Sequence, residues 1–199
     1  MRKGELIEIL LKAAVVSGYT VYVVIGSQAI HGTVADPDVE VVIRSSDADI
    51  YPVQGYGDQN SWYEELMLHL GQDSDHHVEA NVYLEAVPTD LARLPPDWRE
   101  RATTELIGSA QVGSESRAVY AIFPEIHDLT VSKIAIRREK DLEFLRGVVR
   151  LGLVDRTTLR ERYDRAPRIT KERLTEGLSD IDEAFGFHGV GDEREGTEE

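Results

Sequence analysis

The sequence predicts a mixed α/β (α+β) domain: a β-sheet flanked by helices over residues 1–125, then a helical C-terminal half over 126–187. Up to Phe123, β-branched and aromatic runs alternate with stretches of helical periodicity. From Ile126 onward only the helical period remains. The ending "GDEREGTEE" is acidic, broken by glycine and almost free of apolar residues, which marks residues 188–199 as a disordered tail.

The elements follow in order. Residues 4–17 place Leu6, Ile9, Leu10, Ala13 and Ala14 at helical spacing, and Gly18 is the expected stop. "TVYVVI" reads as a buried strand. Gly26-Ser27 breaks it, and "SQAIHGT" reads as a short helix with Ser27 at its N-cap. "VADPD" is a loop. "VEVVIR" is a second strand, expected to run on through Asp49. Residues 61–70 read as a helix closed by Gly71, "EANVYLEAV" as a third strand and "LPPDWRERA" as a turn. A strand pair is expected within 104–123. Residues 127–151 carry one apolar stripe, Val131, Ile134, Leu142, Leu145 and Val149, with Gly152 behind it. Asp155 and Thr170 are the expected caps of two last helices, the first ending before Pro167 and the second near Ala184.

The chain has 199 residues and 41 % apolar content, enough for a sizeable core. No run of about 18 apolar residues predicts a membrane span. "MRKGELIEILL" reads as a helix, not a signal peptide. The absence of cysteine excludes disulfides and thiolate metal sites and makes a cytoplasmic location the expectation. The net charge of −15 repels nucleic acid on average. Against that average, "KIAIRREKDLEFLRGVVR" concentrates Lys133, Arg137, Arg138, Lys140, Arg146 and Arg150 against three acids.

Three groups point to chemistry. In "VVIGSQAIHG", a strand runs into Gly26 and Ser27 and then a helix start, the pattern of a phosphate cradle and equally of an ordinary strand-to-helix turn. In "IRSSDADIYP", Asp47 and Asp49 alternate on a strand and therefore share a face. Two carboxylates so placed repel unless water, a basic side chain or a hard divalent cation offsets them. Asp38 and Glu40 form a competing pair, which spacing alone does not separate from the first. Third, Lys133, Arg137 and Lys140 fall within about 60° on an ideal helix, with Asp141 at the border, a pattern that suits a phosphate-binding face or a solvated one. His76 and His77 lack a third nitrogen or sulfur ligand in reach, so zinc is not expected.

Taken together, these segments resemble the polymerase-beta superfamily of nucleotidyltransferases, and more narrowly the AbiEii-like and MenT-like toxins. "VVIGSQAIHGT", "SSDADIYP", "LPPDWRER" and "HDLTVSKIAIRREKDLEFLRGVVRLGLVD" carry the likeness across residues 20–160. The resemblance implies a nucleotidyltransferase-like mixed sheet, with Asp47 and Asp49 as Mg²⁺ ligands in preference to Asp38 and Glu40. It implies Gly26 and Ser27 as the triphosphate cradle, Lys133 and Asp141 as catalytic residues, and Arg138 and Lys140, beside Arg137, as nucleotide-binding. Glu85 is the best candidate for a third carboxylate. Ser45, two residues before Asp47, stands where some such toxins are blocked by phosphorylation. The implied reaction moves a nucleoside monophosphate from a triphosphate to an RNA (tRNA among them) or protein acceptor, with an antitoxin as partner. The alternative is a catalytically inactive module of the same fold that binds a nucleotide or a partner protein.

Overall fold

The computed structural model describes residues 1–34, 45–53, 59–89, 91–167 and 169–186. Asp38, Glu40, the strand expected at 39–44 and the tail from His188 lie outside the described residues.

Five strands form one mixed sheet in the order β3-β2-β1-β5-β4. They are β1 (Val21–Ile25), β2 (Asp47–Pro52), β3 (Tyr83–Ala86), β4 (Thr103–Val112) and β5 (Glu115–Phe123). β1 is antiparallel to β2 and parallel to β5, β2 is parallel to β3, and β4 and β5 form the expected antiparallel pair. Helix α1 (Lys3–Ser17) packs on β4 and on α2 (Gln59–Leu70), which packs in turn on β3. The residues that α1 buries are Leu6, Ile9, Leu10, Ala13 and Ala14, and Gly18 ends the helix in the left-handed conformation. Tyr22, Tyr51 and Phe123 are fully buried within the sheet's core.

Three local readings change. "SQAIHG" is a 3₁₀ turn, Ser27–Gly32, and Gly26 rather than Ser27 stands at its N-cap. "EANVYLEAV" is not strand throughout: Asp75–Ala80 form α3, capped by the Ser74 hydroxyl, and β3 begins at Tyr83. Within "LPPDWRERA" a single turn of helix, α4 (Trp98–Arg101), delivers Arg101 to the fully buried Asp128, Nε to Oδ2 at 2.8 Å. Arg162 reaches the same carboxylate at 3.0 Å, so one buried acid joins three helices.

The C-terminal half holds α5 (Ile126–Ile136), α6 (Glu139–Arg150), α7 (Arg156–Asp164) and α8 (Lys171–Ala184). Asp155 and Thr170 cap α7 and α8 as expected. The continuous stripe of 127–151 is, however, carried by two helices. Arg137 turns left-handed at φ 61°, and Asp141 reaches back to accept from the Arg138 backbone N–H at 3.0 Å. That bond satisfies an N-terminal donor of α6 and starts the helix afresh.

Candidate active site

The sheet's order and register assemble the acidic group. Asp47 and Asp49 share a face of β2, and Asp49 stands opposite Glu85 of β3. Carboxylate oxygens of Asp47, Asp49 and Glu85 all lie within 4.8 Å of one another, so the three residues can hold a metal ion. Burial, followed by the charges of Asp47 and Glu85, pushes Asp49 from 3.8 to about 6. Hard oxygen donors that repel each other, with Asp49 among them resisting ionisation, fit a divalent cation, which relieves both costs.

On the other side of β2, Asp49 stands opposite Ile25, the last residue of β1. Gly26 follows at φ 70°, ψ −158°, backbone that essentially only glycine adopts. A Cβ at Gly26 would lie 2.0 Å from Asp49 Oδ2. Glycine is therefore required here twice, by the turn and by the carboxylate seated against it. Gly26→Ala is expected to destabilise the fold by at least ~2 kcal/mol and to disturb Asp49. Thermal melts with and without Mg²⁺ check this: a variant that melts like the parent and keeps the same Mg²⁺ response would remove the contact from the account. The buried Gln28 fixes the approach to β2 by donating to the Ser45 carbonyl at 2.9 Å.

The same cleft is also lined by basic residues. A cleft of about 440 Å³ brings the three carboxylates together with Gly26, Ser27, Ser45, Ser132, Arg93, Lys133, Arg138 and Lys140. Among the described residues, the lining thus sets four cations against three carboxylates, in a chain of net charge −15. Lys133 is 7 % exposed, its Nζ 3.5 Å from Asp141 Oδ1 and over the Phe144 ring. Burial pushes its pKa down, against the raising pull of Asp141 and Asp49. Asp141 is itself fully buried. Burial drives its pKa up, but the Arg138 hydrogen bond at 2.9 Å and the Lys133 charge more than offset this and hold it below the ordinary range. Asp141 does not line the cleft; it anchors two residues that do.

The sequence-predicted residues therefore separate. Gly26, Ser27, Asp47, Asp49, Lys133, Arg138 and Lys140 meet in one cleft, with Glu85 and Ser45. Arg137 does not join them. Its guanidinium turns to α8 and pairs with Asp180 at 2.6 Å and Glu176 at 3.3 Å, because the break after Ile136 swings it off the face of Lys133. The shared basic face of an unbroken helix is thereby corrected, and Lys133 is buried rather than part of a solvated face. Arg93 was not singled out by the sequence, being an isolated arginine before "LPP"; it lines the cleft with Nη1 3.3 Å from the Ala135 carbonyl.

No curated protein and no solved structure matches the chain significantly. Residues 4–179 match the family described as "Nucleotidyltransferase of unknown function (DUF6036)". The match spans the strand of Asp47 and Asp49, β3 with Glu85 and the helix of Lys133, and on it the chain belongs to this nucleotidyltransferase family.

Proposed function

We propose that the chain is a metal-dependent nucleotidyltransferase, moving a nucleoside monophosphate from a nucleoside triphosphate to a hydroxyl-bearing acceptor. The observation that carries this is one cleft whose described lining combines a carboxylate triad with four cations. A triphosphate carries several negative charges, and such a wall neutralises them where the bulk of the protein would repel them.

Asp47, Asp49 and Glu85 hold the divalent cation, for which Mg²⁺ is the expected ion. When bound, the ion neutralises charge on the phosphates and acidifies an attacking hydroxyl. The chain's own residues do the rest. The Gly26–Ser27 turn lines the same cleft and borders the phosphates there. Lys133, held by Asp141, is a compact donor aimed where charge develops on the departing phosphates, and Arg93, Arg138 and Lys140 widen that field. The acceptor oxygen bonds to the α-phosphorus, the bond to the α–β bridging oxygen breaks, pyrophosphate leaves, and the hydroxyl proton passes to solvent. Most of the acceleration comes from positioning and fixed charge.

Incubation with each α-labelled nucleoside triphosphate, Mg²⁺ and cell lysate is expected to place label on an acceptor with the parent chain and not with Asp49→Asn. Label distributed identically by both, or by neither, contradicts the enzyme and favours a binding module.

The raised pKa of Asp49 gives the reading a pH signature. Below about pH 6 the carboxyl holds a proton that must leave before a cation binds. Mg²⁺ affinity is therefore expected to fall up to about tenfold per pH unit below that value and to level off above it. Calorimetry across pH 5 to 8 checks this, and a flat profile would place the ion elsewhere.

A further inference from the structure

A second cleft, of about 470 Å³, opens beside the first and shares Glu85 and Leu91 with it. Trp62, Tyr63, Ala86, Val87 and Pro88 also line it. The two rings meet at 72° with centroids 6.3 Å apart, forming a corner in which a flat ligand can stack on one ring and meet the edge of the other. Tyr63 and Leu91 are 43 % and 50 % exposed, whereas Trp62 is buried and its indole N–H has no partner among the described residues. No cation stands among the described lining residues, and Glu85 is the one charge.

We propose that this second cleft seats the acceptor, and that the acceptor is a hydroxyl-bearing, phosphate-free ring compound of nucleoside type rather than a nucleic-acid chain. The proposal rests on the reading of the first cleft as the triphosphate site. In-line displacement puts the attacking oxygen and the leaving pyrophosphate on opposite sides of the α-phosphorus. The order β3-β2-β1 places Glu85 on one side of Asp49 and the Gly26 turn on the other. A ligand entering past Glu85 therefore approaches from the side away from Gly26 and Ser27. Its character follows from the wall. Rings bind flat heterocycles by stacking, while a phosphodiester chain needs cations, which the described residues of this wall do not supply, and meets a carboxylate and a net charge of −15 instead.

The probe is adenosine, read by the fluorescence of Trp62 in a Trp98→Phe background, since the chain has two tryptophans. Calorimetry on the unaltered chain gives the same answer should that variant fold poorly. Adenosine is expected to quench Trp62 saturably, AMP to bind at least about tenfold more weakly, and Tyr63→Ala to weaken adenosine by about tenfold. None of the four nucleoside triphosphates with Mg²⁺ is expected to displace it. Three results overturn the proposal: no saturable adenosine binding, AMP binding as tightly as adenosine or tighter (which assigns the cleft to a phosphorylated chain end), or competitive displacement by a Mg²⁺-triphosphate (which assigns it to the substrate's own base). Adenosine binding that persists while no triphosphate binds supports the ring seat and counts against the reading of the first cleft.

Discussion

Lys133→Ala is expected to cut nucleotidyl transfer by about 30-fold to 1,000-fold, the loss of about 2–4 kcal/mol from a charge-assisted contact in a water-poor site. The same change is expected to lower stability, because this lysine is not on the surface. Its removal leaves the fully buried Asp141 with Arg138 as its remaining cation among the described residues. Breaking a buried ion pair commonly costs 3–5 kcal/mol. Here the bonds from the Arg138 guanidinium and backbone N–H remain, so ~2 kcal/mol is the expected cost, or about 5 °C in melting temperature. Lys133→Met keeps much of the volume and separates the effects: it should melt nearer the parent yet transfer as poorly as the alanine variant. Lys133→Arg should recover activity only in part, a planar fork replacing a compact ammonium. Single-turnover label transfer beside thermal melts of all four proteins makes the comparison. Full activity in Lys133→Ala would leave Lys133 as an internal counter-ion of Asp141.

Asp49→Asn is expected to have opposite effects on stability and on activity. Between pH 3.8 and about 6 the folded chain holds a proton on Asp49 that the unfolded chain has already released. Metal-free stability therefore falls as pH rises through that window and stays lower above it. Asparagine cannot ionise and removes the penalty. With some allowance for the group's partial exposure, the metal-free variant should gain about 1–2 kcal/mol at pH 7, a rise of several degrees. Adding Mg²⁺ should stabilise the parent and leave the variant unmoved, and transfer by the variant should fall by at least about 1,000-fold. A variant less stable than the metal-free parent at pH 7 would mean that Asp49 is held ionised by the structure, not strained by it.

The sequence and the structure agree best where a local pattern is sufficient. Strand alternation put Asp47 and Asp49 on one face, and helical spacing in α1 named the five residues it buries. The third carboxylate needed more. Glu85 becomes a neighbour of Asp49 only through the parallel pairing of β2 with β3, a long-range register that no local pattern encodes. The break between α5 and α6 was hidden because the apolar stripe runs across it unchanged. Its one local cue is Asp141 three residues after Arg138, an N3 acid without a Ser or Thr cap before it. Read as one continuous helix, the segment places Arg137 beside Lys133 on a face that a solvated surface would suit equally well. Gly26 was read as room for a ligand, and its nearest neighbour proves to be the Asp49 carboxylate.

The central claim is that the cleft binds a triphosphate through a metal held by Asp47, Asp49 and Glu85. Calorimetric titration of the chain with each nucleoside triphosphate, once with Mg²⁺ and once with EDTA, tests it most directly. At least one triphosphate is expected to bind with Mg²⁺ and to lose about 100-fold or more in affinity with EDTA. Equal affinity under both conditions would contradict the account.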